Sequence, residues 1–207
     1  MRGFLILQNE IFWYYFYVGY HRKSIQLKGF NYSQNGCYFV TFCTWKRLNI
    51  LGKIIDNKMV LNSLGEIVKN ELIKTEKLRK NVKIDVFQIM PNHVHLILVI
   101  KNISDNENNN VGAYCRGDVG AYCNTPLRNK NKFTSPKNNL GSIIRGIKST
   151  TSKQISQIEL DGLSVWQRNY FEIIIKDEIE YLKIKNYIEI NPAIWNRDRN
   201  NLSGKNH

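Results

Sequence analysis

The 207-residue sequence is short of acidic side chains, proline and cysteine: 17 Asp and Glu stand against 30 Lys and Arg, and Pro and Cys occur four times each. The four cysteines, Cys37, Cys43, Cys115 and Cys123, form no CxxC pair. A zinc ribbon or a disulfide framework is therefore poorly supported, and the thiols read as the reduced cysteines of a cytoplasmic protein. No apolar run reaches the roughly 18 residues that a membrane-spanning helix needs. The apolar, aromatic stretch around Ile11 to Val18 is too short and has Glu10 before it, so residues 1–20 read as an N-terminal extension. The length suits one buried domain, taken as 21–195, with 196–207 as a C-terminal tail.

The acidic deficit leaves a formal charge of +13 and a sequence pI near 9.6, which favours a polyanionic partner. From Val119 to Ile158 there is no Asp or Glu, while Arg128, Lys130, Lys132, Lys137, Arg145, Lys148 and Lys153 all occur. A one-signed stretch of this kind is an electrostatic footprint for phosphates.

What is present is periodicity. Residues 36–45 are dense in aromatic and β-branched side chains and follow a turn-like Ser33-Gln34-Asn35, so they read as a buried strand. Helical spacing of Met59, Leu61, Leu64, Ile67, Val68, Leu72 and Ile73 predicts a helix from Asn57 to about Lys80. Val82–Met90 and Val94–Ile100 are apolar runs punctuated by Pro91-Asn92. Residues 102–139 are polar and asparagine-rich, with VGAYC at both 111–115 and 119–123, and read as a surface insertion. A second helix is expected over 140–158, a strand over 165–175, and a last helix from Glu178 to Asn191, capped by Asp177 and ended by Pro192. The order gives an α+β, ferredoxin-like antiparallel sheet with helices on one face and an added C-terminal helix.

Within MPNHVHL at 90–96, His93 and His95 are two apart. On a strand such positions project from the same face, so both imidazoles can reach one ion. Two imidazoles without a thiolate leave coordination positions open, which suits a catalytic divalent metal such as Mg2+ or Mn2+ completed by oxygen ligands. On the last helix Tyr187 and Asn191 are four apart and share a face. Tyr187 could lie over a metal that Asn191 helps to hold, although core packing for Tyr187 and helix termination for Asn191 account for the same spacing. Arg145, Lys148, Lys153 and Arg168 are candidate DNA contacts, a solvated face being the alternative. Trp166, Arg168 and Tyr170 alternate and could share one face of a strand, with Trp166 equally suited to the core.

Three blocks in order, MPNHVHLI at 90–97, VWQRNYFE at 165–172 and NYIEINPAIW at 186–195, resemble the signatures of the REP-associated tyrosine transposases, a group within the HUH single-tyrosine class. YFVTFCT at 38–44, LGSIIRGIKS at 140–149 and VGAYCNTP at 119–126 are similar to further family segments, and the similarity runs from about Arg22 to Trp195. The resemblance implies a His-hydrophobe-His metal site at His93 and His95, a nucleophile at Tyr187 on the last helix, and a polar metal ligand one turn beyond it at Asn191. It implies cleavage and rejoining of single-stranded DNA through a 5′-phosphotyrosine, on a hairpin like a repetitive extragenic palindrome, in a DNA-associated prokaryotic protein acting as monomer or homodimer. Two other functions fit the residues alone: a non-catalytic nucleic-acid-binding module on the same plan, and a metal-dependent phosphodiesterase that uses water.

Overall fold

The computed structural model describes residues 35–101, 139–158, 164–198 and 200–201. The expected extension at 1–20, the insertion at 102–139 apart from Asn139, and the end of the tail lie outside the described residues.

Among the described residues, six strands and three α-helices follow in the order β1 (Gly36–Cys43), β2 (Gly52–Ile55), β3 (Lys58–Leu61), α1 (Ser63–Leu78), β4 (Val82–Met90), β5 (His93–Ile100), α2 (Leu140–Ser156), β6 (Phe171–Ile175) and α3 (Glu178–Ile190). The main sheet is antiparallel with order β4-β5-β1-β6. Counting only its own strands in chain order gives 2-3-1-4, the ferredoxin-like arrangement expected from the sequence. Among the described residues no helix is long and apolar enough to cross a membrane.

Alternation along the two central strands sorts their side chains between two cores. Tyr38, Val40 and Phe42 of β1 and Val94, Leu96, Leu98 and Ile100 of β5 pack with Leu64, Val68 and Leu72 of α1 and Leu140, Ile143, Ile144 and Ile147 of α2. Cys37, Phe39, Ile97 and Val99 face the other way, onto Tyr181, Ile184 and Ile188 of α3. Every residue of β5 is buried, which is why that strand reads as a nearly unbroken apolar run. His93 and His95 are the exceptions in it, and period two puts both on the α3 face.

The sequence reading of a helix from Asn57 needs correction. Residues 52–61 form a two-stranded hairpin, Gly52↔Leu61 to Ile55↔Lys58, turning at Asp56 and Asn57 with φ of 48° and 60°. Two consecutive positive φ values in a two-residue loop are those of a type I′ turn, and Asp and Asn tolerate them better than most side chains. Helix α1 starts only at Ser63, where the Asn62 side chain caps it by accepting from the Gly65 N–H at 3.0 Å. The apolar residues Met59 and Leu61 happen to match helical spacing with Leu64 and Val68, and the turn chemistry before them overrides that match.

The strand expected over 165–175 is also shorter, confined to Phe171–Ile175 with an isolated bridge between Thr44 and Trp166. Between them the Lys148 ammonium donates to the carbonyls of Gln167 and Asn169, at 3.0 and 2.8 Å, taking acceptors that a ladder would need. Trp166 lines the same open cleft as Arg168 and Tyr170, though not from a strand. It is buried, packed edge-on against Phe42 with ring centroids 4.9 Å apart, and its Nε1–H donates to Thr151 Oγ1 at 2.8 Å. Trp166→Phe removes that bond and leaves a gap beside Phe42; denaturant melts are expected to show a loss of about 1–3 kcal/mol.

Candidate active site

His93 opens β5 opposite Cys43, and His95 sits opposite Thr41 of β1. The two imidazoles turn their Nε2 atoms toward each other at 2.9 Å. Each Nδ1 is engaged elsewhere: that of His95 with Thr41 Oγ1 at 2.7 Å, that of His93 with Asn92 Oδ1 at 2.8 Å. Burial pushes both imidazoles well below the ordinary histidine range. His93 goes down to about 3, with the nearby Arg47 charge adding to the effect; for His95 the neighbouring His93 adds to it and the Asp198 carboxylate opposes it. Both rings are therefore neutral near pH 7, the form in which imidazole binds metals.

Helix α3 crosses this face of the sheet. Asp177 Oδ1 accepts from the Glu180 N–H at 2.8 Å and sets its start, as the sequence predicted. One face of the helix buries Tyr181, Ile184 and Ile188, and this anchors Tyr187 so that its hydroxyl lies 3.3 Å from His95 Nε2. The Tyr187 and Phe39 rings enclose the His95 ring, with centroids 5.2 and 5.5 Å from it.

The chain leaves α3 in a 3-10 segment, Asn191–Arg197. Asn191 is fully buried, and its amide donates to Asp198 Oδ2 at 3.3 Å. Its Oδ1 is also buried and, among the described residues, has no hydrogen-bond partner. Asp198 Oδ2 lies 3.9 Å from His93 Nε2, and ligand atoms of His93, His95 and Asp198 all fall within 4.8 Å of one another. Two facing imidazole nitrogens and a carboxylate form a donor set that fits one divalent cation, with the orphaned amide oxygen of Asn191 on the residue that bonds that carboxylate. An uncompensated buried oxygen costs about 1–3 kcal/mol, and a cation is one partner that would satisfy it.

The structure thus gathers His93, His95, Tyr187 and Asn191 on one face. It adds Asp198, which the sequence does not single out because it lies beyond Trp195, in a segment without periodicity. Thr41 and Asn92 were missed as partners of the imidazoles. Thr41 could be found from strand register once β1 and β5 are paired, whereas Asn92, next to His93, carries in the sequence only the signal of turn punctuation.

The candidate DNA contacts lie elsewhere. Arg145, Lys148 and Arg168 line an open cleft of about 400 Å³ with Ser149, Ser152 and Tyr170. The cleft is bordered by α2, which packs on the sheet face away from the imidazoles. Lys153 is exposed and does not line it. Partial burial lowers Lys148 to about 8, so it remains a cation at neutral pH. Its Nζ stands 5.6 and 5.8 Å from the ring centroids of Phe42 and Tyr170.

No family model matches the sequence. An uncharacterized protein of Haemophilus influenzae is 38% identical over 186 residues, which span 87% of this chain and 93% of that protein. Among solved structures, that of a REP-associated tyrosine transposase bound to a REP hairpin is similar with a TM-score of 0.50 at 18% identity, covering 81% of this chain and 73% of that one. At that identity the likeness is one of fold.

Proposed function

We propose that this chain, which belongs to the same family as the Haemophilus influenzae protein, is a metal-dependent tyrosine transposase that cuts and rejoins hairpin-bearing single-stranded DNA. The observation that carries the proposal is the position of the Tyr187 hydroxyl, 3.3 Å from one of two imidazoles whose Nε2 atoms face each other. A phosphodiesterase using water has no need of a phenol there, and a non-catalytic binding module has no need of the buried polar cluster. The fold shared with the transposase that was solved with a REP hairpin points to the same class of substrate.

His93, His95, Asp198 and Asn191 Oδ1 are the groups that would hold the metal. A bound Mg2+ or Mn2+ supplies neutralisation of phosphate charge and a fixed point for orienting the scissile group. The chain's own residues do the rest. The buried face of α3 holds the phenol in place, and Phe39 packs beside it with ring centroids 6.3 Å apart. Tyr187 Oη forms the new bond to phosphorus, the P–O3′ bond breaks, and the phenolic proton ends, net, on the departing 3′-oxygen. One phosphodiester replaces another, so the 3′-hydroxyl of the same or another strand can reverse the step without a nucleotide cofactor.

The deciding experiment incubates the protein with labelled single-stranded hairpin DNA and Mn2+ or Mg2+. A covalent protein–DNA adduct on a denaturing gel, mapped to Tyr187 by mass spectrometry, is the expected result. Metal-dependent cutting with no adduct would instead establish the water mechanism.

For the cleft, Arg145→Ala and Arg168→Ala are each expected to weaken single-strand binding and to flatten the dependence of log K on log salt by about 0.7. Lys153→Ala is expected to change the slope less. Fluorescence anisotropy at several salt concentrations measures all three.

A further inference from the structure

Asn92 is fully buried between two chemistry-bearing segments, and every polar atom of its side chain is used. Its amide nitrogen donates to two carbonyls, Arg47 O at 3.1 Å and Asn200 O at 2.7 Å. Its Oδ1 faces His93 Nδ1 at 2.8 Å. Its backbone carbonyl accepts from the Thr44 N–H at 2.9 Å and the Thr44 hydroxyl at 3.0 Å. The turn at 44–48, the start of β5 and the segment carrying Asp198 therefore meet on one residue. The Asn200 N–H in turn donates to Asp198 Oδ1 at 2.6 Å.

This wiring fixes which way the amide points. Two carbonyl oxygens on one side demand the NH2 group there, since the flipped amide would set Oδ1 against both. Oδ1 is then left as an acceptor for His93, whose Nδ1 has to carry the ring proton. A neutral imidazole holds one such proton, so Nε2 keeps its lone pair.

We propose that Asn92 is a positioning residue that holds His93 as the Nδ1–H tautomer and so turns a basic Nε2 toward His95 and Asp198. The turn it clamps supports this assignment. Lys46 and Arg47 both adopt left-handed backbone, with φ of 51° and 55°. Two adjacent non-glycine residues in that region each cost about 1–3 kcal/mol and persist where surrounding structure over-determines them. The Asn92 amide on the Arg47 carbonyl is one of the bonds that does so. The consequence for metal affinity rests on the reading of His93 as a ligand; the tautomer itself does not.

The experiment is nitrogen-15 NMR of the histidine rings in the full chain without added metal, followed by Mn2+ titration. In the wild type, His93 is expected to carry its proton on Nδ1. In Asn92→Ala the Nε2–H form is expected to appear and Mn2+ affinity to fall 10–100-fold, the usual range for loss of a ligand's hydrogen-bond partner. Asn92→Asp keeps an acceptor for His93 but not the two donors, and is expected to restore the Nδ1–H form while remaining less stable. Thr44→Val, which loosens the same turn without touching His93, is expected to lower stability and leave the tautomer unchanged. A wild-type His93 protonated on Nε2 would overturn the proposal whatever the variants do. So would an Asn92→Ala protein that retains Nδ1–H and binds Mn2+ within twofold of wild type, or one whose affinity falls only in proportion to stability, as in Thr44→Val. If the wild type itself binds no Mn2+, the metal reading fails, and the ring spectra still decide the role of Asn92.

Discussion

Tyr187→Phe is expected to abolish the covalent protein–DNA adduct and to lower cleavage of a single-stranded hairpin by at least about a thousandfold, the usual scale for losing a nucleophile. The substitution removes one oxygen and nothing else. The ring of Tyr187 packs at the edge of the α3 core beside Phe39, and phenylalanine fills the same space. Its hydroxyl approaches His95 Nε2 at 3.3 Å, a length at which little stabilisation is at stake. Thermal melts should show that the variant remains folded, and binding of uncut hairpin DNA should persist. A variant that folds, binds and still cuts at the wild-type rate would remove Tyr187 from the chemistry and make the water mechanism the better reading.

The parts of this site that could be read from the sequence are those with a period. His93 and His95 share a face because strand geometry alternates, and Tyr187 and Asn191 share one because four residues make about one helical turn. Bringing the two pairs together requires pairing β5 with β1 and laying α3 over their common face, which periodicity leaves open and only the resemblance of the ordered blocks to a family implies. Asp198 and Asn92 were not legible for a shared reason. Each acts from irregular backbone, where position depends on individual hydrogen bonds such as that from Asn92 to the Asn200 carbonyl. The hairpin at 52–61 was missed for a different reason. Its apolar residues satisfied two periods at once, and the discriminating signal, Asp56-Asn57 between two short apolar runs, was turn chemistry rather than hydrophobicity. At Trp166 the alternation found a shared cleft with Arg168 and Tyr170 but not a strand: Lys148 donates to the carbonyls of Gln167 and Asn169, and regular pairing is confined to Phe171–Ile175.

The buried cluster also predicts that metal and stability are linked. Without a cation the fold buries two imidazoles whose Nε2 atoms face each other, a carboxylate 3.9 Å from one of them, and an amide oxygen with no partner among the described residues. The imidazoles can share one hydrogen bond and the carboxylate accepts from Asn191 and Asn200, so the unmet cost lies with the amide oxygen, which a cation would satisfy. A ligand that binds only the folded state adds RT ln(1 + [L]/Kd), about 2.7 kcal/mol at a hundredfold excess over Kd. For a domain of this size that is a rise in Tm of roughly 5–10 °C. Mn2+ is expected to produce such a rise, chelation to reverse it, and His95→Ala to abolish it. The quantity to compare is the metal-dependent increment rather than the absolute Tm, because the packing cost of removing an imidazole from beneath Phe39 and Tyr187 is present with and without metal and drops out of the difference. Asn191→Ala removes the orphaned oxygen together with the amide's bond to Asp198 Oδ2, and touches neither imidazole. Its increment should be smaller than the wild type's but not zero if Asn191 is a ligand; an increment equal to wild type would confine the metal site to His93, His95 and Asp198.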